Sequence, residues 1–80
     1  MKSQSVRRNQ LQDIVEILDV CMKPQSRVQI LEETGFSMRH LHFCLKHLLK
    51  QNLVRFHHRK KTYVITGKGL RYLQLFAEVQ

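Results

Sequence analysis

From Thr34 to Ala77 the chain contains no aspartate and no glutamate. That gap covers more than half of the 80 residues, and nothing earlier offsets it: residues 1–33 hold five basic side chains (Lys2, Arg7, Arg8, Lys23, Arg27) against five acidic ones (Asp13, Glu16, Asp19, Glu32, Glu33). The net charge of +8 therefore resides beyond residue 33. Other shortages narrow the class. The 2 cysteines, Cys21 and Cys44, each sit inside an apolar helical pattern and are too few for a disulfide framework, which fits a reducing, cytoplasmic setting. There is no Cys-x-x-Cys pair, no glycine-rich phosphate loop and no pair of carboxylates in the basic segment for acid–base work, so no enzyme activity, cofactor or small-molecule substrate is expected. No run of roughly 18 apolar residues exists to span a bilayer, and Met1–Gln10 lacks the apolar centre of a signal peptide. With 3 glycines, 1 proline and 42% apolar residues, the composition is that of a folded chain. Its length suits one domain over residues 1–80, with residues 1–7 expected as a disordered tail.

What remains is mostly helical pattern. Leu11, Ile14, Val15, Leu18 and Met22 recur at helical spacing, with Ile17 and Val20 widening the stripe and Gln12, Asp13, Glu16 and Asp19 on the other side. A first helix is expected from Val6 to Cys21, closed by Pro24. A short second helix fits Gln25–Thr34, capped by Ser26, with Val28, Ile30 and Leu31 facing inward; Gly35 supplies the left-handed residue that ends it. Ser37 caps a third helix, residues 37–51, in which Leu41, Cys44, Leu45 and Leu48 form one stripe and Asn52 marks the stop. The period then drops to about two. Leu53–His57 and Thr62–Thr66 predict a hairpin whose tip, His58-Arg59-Lys60-Lys61, lacks the residues of a two-residue turn. A final helix is expected over Lys68–Val79, with Leu70, Leu73 and Ala77 on one apolar face and Tyr72, Leu75, Phe76 and Val79 on a second. So small a domain cannot bury both faces, so the second face and the helix 68–80 that bears it are expected at a homodimer interface.

Two helices joined by Thr34-Gly35-Phe36 make a helix-turn-helix corner, in which the second helix enters the DNA major groove by its N-terminal end. That end comprises Ser37, Met38, Arg39, His40, His42 and Phe43, with Lys46 further along. Arg39 suits either a bidentate pair with guanine or a phosphate. Phe43 suits a thymine methyl, a sugar edge, or packing beside the second helix or hairpin. The hairpin then reads as a wing, with His57, His58, Arg59, Lys60 and Lys61 along the phosphates or in the adjacent minor groove. A solvated basic surface would explain the charge but not its one-sided segregation. His40, Cys44 and His47 fall at i, i+4 and i+7, a spacing open to zinc; yet Cys44 lies in the leucine stripe, no fourth ligand is marked, and no metal is expected.

The fold class that results is mainly α with a small β-hairpin, a winged helix-turn-helix of order α-α-α-β-β-α. The run Ile65-Thr66-Gly67-Lys68-Gly69-Leu70-Arg71-Tyr72-Leu73 resembles the small archaeal winged-helix regulators. So does Phe36-Ser37 followed by Leu41 and Leu45, then Leu48-Leu49-Lys50-Gln51-Asn52-Leu53-Val54. The resemblance covers residues 8–79 and implies a transcriptional regulator whose terminal helix mediates dimerisation; the last helix departs from the family in being short, which does not fit a long coiled-coil stalk and leaves a compact dimer open. Double-stranded DNA is the expected partner, and a nucleoid-associated place in the cytoplasm the expected location. Two other readings stay open: a winged helix that docks on a protein through Phe43 and the last helix, and an architectural DNA binder with little sequence preference. RNA is disfavoured because no strand carries the exposed aromatic pair of a stacking platform.

Overall fold

The computed structural model describes the backbone of residues 10–79 and the side chains of residues 10–76; the tail expected at residues 1–7 lies outside that range. The elements run α1 (Gln10–Val20), α2 (Arg27–Thr34), α3 (Met38–Lys50), β1 (Val54–His57), β2 (Thr62–Ile65) and α4 (Gly67–Val79). Three of these helices begin at a hydroxyl that accepts an otherwise orphaned backbone N–H. Ser26 Oγ accepts from Gln29 N at 3.1 Å while the Gln29 carboxamide accepts from Ser26 N at 2.7 Å, a complete capping box. Ser37 Oγ accepts from His40 N at 3.1 Å, and Thr66 Oγ1 from Gly69 N at 3.0 Å. Gly35, at φ 74°, turns the chain out of α2 and donates its N–H to Leu31 O at 2.8 Å. Asn52, at φ 61°, does the same after α3.

The leucine stripe of α3 is buried as its spacing requires. Leu41, Cys44, Leu45 and Leu48 meet Ile14, Ile17, Leu18 and Cys21 of α1, Ile30 of α2, and Leu53, Val54 and Tyr63 of the hairpin region. Burying each large aliphatic side chain contributes about 1.5–3 kcal/mol, so these contacts are the main source of stability. The edges of the expected stripes differ. Val28 is exposed rather than inward, because α2 is only eight residues long and its inward face is Ile30 with Leu31 partly covered. Leu11 and Met22, at the two limits of the α1 stripe, are exposed, as is Leu70 on α4. Asp13, expected on the polar side of α1, is buried.

β1 and β2 pair antiparallel from Val54↔Ile65 to His57↔Thr62, and Lys61 at φ 54° closes a four-residue tip. One attachment had no sequence signal. Gln25, between α1 and α2, pairs with Tyr63 through Gln25 N to Tyr63 O at 2.9 Å and Tyr63 N to Gln25 O at 2.7 Å. Ile65 N donates to Cys21 O at 2.8 Å beside it. The hairpin is therefore tied to the α1–α2 connection by three backbone bonds. Among the described residues no helix is long and apolar enough to cross a membrane.

The start of α4 rests directly on the chain entering β1. A Cβ at Gly69 would stand 2.2 Å from Leu53 O and 2.8 Å from Ile65 Cγ1, whereas one at Gly67 would meet nothing within 4 Å. Gly69→Ala should therefore destabilise the domain by about 2 kcal/mol or more, since a backbone carbonyl cannot rotate away, lowering Tm by roughly 8–16 °C. Gly67→Ala should leave Tm within about 3 °C of the parent. Thermal melts followed by circular dichroism measure both, and equal Tm values would place α4 elsewhere.

Candidate nucleic-acid interface

Because one stripe of α3 is buried, its other side is presented outward. Ser37, Met38, Arg39, His42, Phe43 and Lys46 are all exposed on it, with Lys50 at the far end. Phe43 is 56% exposed, so it fills no gap beside α2 or the hairpin. Met38, at 60%, is a second large apolar group on this face that the charge pattern alone does not signal. The free N–H groups of the first turn of α3 point out beside the Ser37 cap, where the helix dipole favours an anion.

His40 departs from the expected arrangement. Its Nε2 donates to the Asp13 carboxylate Oδ2 of α1 at 2.7 Å, and its ring meets Phe36 edge-on at 4.9 Å between centroids. The imidazole is half-covered while the carboxylate lies in the interior. Cys44 Sγ lies 3.7 Å from the same Nε2. Burial, aided by the Asp13 charge, pushes the Cys44 thiol up to about 11, and burial alone pushes Cys21 up to about 12. Both are protonated packing groups. Among the described residues no group of three or more His, Cys, Asp or Glu side chains is arranged to hold a metal ion.

The wing residues His57, His58, Arg59, Lys60 and Lys61 are all exposed at the hairpin tip. His57 Nδ1 accepts from Lys60 N at 3.3 Å, which braces the turn. The base of the wing is stiffened by aromatics: His58 meets Phe56 at 5.0 Å, Phe56 meets its cross-strand partner Tyr63 at 4.7 Å, and the Arg27 guanidinium lies 5.9 Å from the Tyr63 ring centroid. Arg27 also donates from Nη2 to Tyr63 Oη at 3.0 Å. This arginine was hidden in the charge-balanced first third of the sequence. Folding moves it beside His42 and Lys46 in a cleft of about 290 Å³, completed by Leu45, Leu49 and Tyr63, that joins α2, α3 and β2. Among the described residues no carboxylate lines that cleft.

On α4, Leu75 is 60% exposed, and Tyr72, Leu75 and Phe76 with Leu11 line an apolar groove of about 250 Å³ between α4 and α1. Tyr72 is not wholly free, since it also packs on the core, and the Val79 side chain lies outside the described residues. The model of the winged helix-turn-helix family matches residues 7–80 of the chain. No curated protein matches it.

The two thiols give a direct check on the α1–α3 packing. At pH 8 a thiol at about 11 is ionised on the order of one part in a thousand, and one at about 12 less still, so the thiolate that attacks iodoacetamide is nearly absent. Alkylation of the native protein should run at least about tenfold slower than in denaturant, where both thiols regain their ordinary reactivity. Rapid labelling of native Cys44 would show that it does not occupy the interior.

Proposed function

The chain belongs to the winged helix-turn-helix family, and from that premise we propose that it binds double-stranded DNA as a transcriptional regulator. The observation that carries this reading is the outward face of α3, where Ser37, Arg39, His42 and Lys46 stand exposed in a stretch of chain without a carboxylate. An α-helix about 10–12 Å across fits a major groove about 12 Å wide. Arg39, on the first turn, meets base edges or the flanking phosphate, and Met38 and Phe43 offer apolar surface to thymine methyls. The Ser37 cap and the N–H groups beside it suit a phosphate oxygen. Arg59, Lys60 and Lys61 with His57 and His58 follow the backbone or the neighbouring minor groove, and the Arg27, His42 and Lys46 cleft takes a phosphate between wing and helix. The partner on a two-fold related site is a second copy, joined through Tyr72, Leu75, Phe76 and Val79; the apolar groove beside α4 supports this.

The exposure of Phe43 and Leu75 also favours a second reading, a module that docks on another protein. Salt separates the two. If DNA is the partner, the affinity for a mixed-sequence duplex of about 30 base pairs should fall by orders of magnitude between about 50 and 200 mM salt, in a fluorescence anisotropy titration. An apolar protein interface would change little over that range. The joint substitution of Lys60 and Lys61 by Ala should reduce the slope of log K against log salt by about 2 and weaken all sequences alike. Arg39→Ala should weaken a preferred duplex by roughly 1–3 kcal/mol more than a scrambled one. Equal losses on both duplexes would make Arg39 a phosphate contact, and no duplex binding at 50 mM salt would end the reading altogether.

A further inference from the structure

The bond between His40 and Asp13 joins the first turn of α3 to the middle of α1 across 27 residues of sequence. We propose that the pair is a positioning tether: it sets where the first turn of α3 meets the bases, and His40 acts through Asp13 rather than by touching DNA. The inference rests on the DNA-binding reading and goes beyond it by removing one side chain from the contact surface and giving it another task. Three observations support it. The His40 imidazole is turned onto α1, with Nε2 2.7 Å from Asp13 Oδ2. The ring is held from a second side by Phe36, which belongs to the turn between α2 and α3, so one side chain pins three parts of the corner. Neighbouring residues divide sharply by role: Arg39 is exposed, Leu41 is fully buried, and His40 between them is half-covered.

The physical need is directional. Leu41, Leu45 and Leu48 press α3 onto the core, but apolar contacts have no preferred azimuth, so a helix held by them alone retains freedom to roll or slide by small amounts. Phosphate contacts made by long lysine and arginine side chains tolerate such movement, whereas paired hydrogen bonds to a base edge are lost with an error of about 0.5 Å or 10–20°. A short bond to an interior carboxylate resists it, because any displacement leaves the carboxylate without its imidazole partner. Cys44, one turn later and also near Nε2, bears a neutral thiol and does not compete for that role as an ion.

A double-mutant cycle read on discrimination tests this. The wild-type protein is used to enrich a preferred duplex from a random pool, and Kd is then measured for that duplex and a scrambled one at about 50 mM salt. His40→Ala and Asp13→Leu should each lower the preferred-to-scrambled affinity ratio by about tenfold while moving the scrambled Kd by no more than about threefold, and the double variant should lose no more than either single one. Arg39→Ala should combine with each less than multiplicatively, because Arg39 is among the first-turn groups whose placement the tether sets. If Asp13→Leu fails to fold by circular dichroism, Asp13→Asn replaces it in the cycle; it keeps the shape, weakens the bond to a neutral one, and should lower the ratio by about threefold. A ratio within twofold of wild type in the folded Asp13 variant, with the His40→Ala loss retained, makes His40 a DNA contact and overturns the tether. Wild-type binding with no preferred duplex overturns it too, leaving DNA binding intact. Failure of the wild type to bind any duplex sinks the DNA reading itself.

Discussion

The outward face of α3 is set by one inward constraint, the single buried stripe of the same helix. Leu41, Cys44, Leu45 and Leu48 occupy one side of a thirteen-residue helix and are almost wholly removed from solvent. Two turns of leucine against α1 leave no second way to seat the helix, because rotating it by half a turn would place Arg39, His42 and Lys46 in an aliphatic interior, where unpaired charge is costly by several kcal/mol. The cationic face is thus a consequence of core packing. Its chemistry is local, and its orientation is inherited.

The hairpin is held by a different kind of force. A two-stranded ribbon is marginal alone in water. Here it borrows stability from the Gln25–Tyr63 bridge, the Ile65–Cys21 bond and the burial of Val54 and Tyr63. Those attachments fix the base of the wing while its tip stays in solvent, with four consecutive cationic or imidazole side chains and a left-handed Lys61. Tyr63 joins the two systems: its ring faces the core and Phe56, and its hydroxyl takes the Arg27 guanidinium. A residue of the first third of the chain is thereby delivered to the basic surface formed by the rest.

Periodicity and capping made the order and most bounds of the elements legible, and Ser26, Gly35, Ser37 and Asn52 act as their types suggest. The exposed positions of the third helix and wing were legible for the same reason, since a clean stripe implies its complement. What could not be read depended on pairs distant in sequence. Asp13, between Gln12 and Ile14 on a helix with a broad apolar arc, has the type of a solvent residue; its bond to His40, 27 positions away, has no signal in the local pattern. Gly69 lies in the first turn of α4, where the helical pattern alone does not call for glycine, and its need appears only once Leu53 O is seen to occupy the space of a side chain. Arg27 was concealed by averaging, because its charge is balanced locally and its position is not. The spacing also places Val28 and Leu70 inward, whereas both are exposed: Val28 lies in the first turn of the short α2, and Leu70 in the first turns of α4.

The buried carboxylate also explains a feature that stability alone would select against. An interior ionic or hydrogen-bonded pair is commonly no better for stability than two well-packed apolar residues of the same size, since desolvation offsets much of the attraction. A leucine at each of positions 13 and 40 would bury comparable surface without an unmet polar group if the pair separates. Such a replacement keeps the attraction between α1 and α3 and discards its direction. The protein instead uses a directional bond of 2.7 Å at the first turn of α3, and uses leucines further along. Non-directional burial supplies the adhesion between the helices, and the His40–Asp13 contact gives it direction.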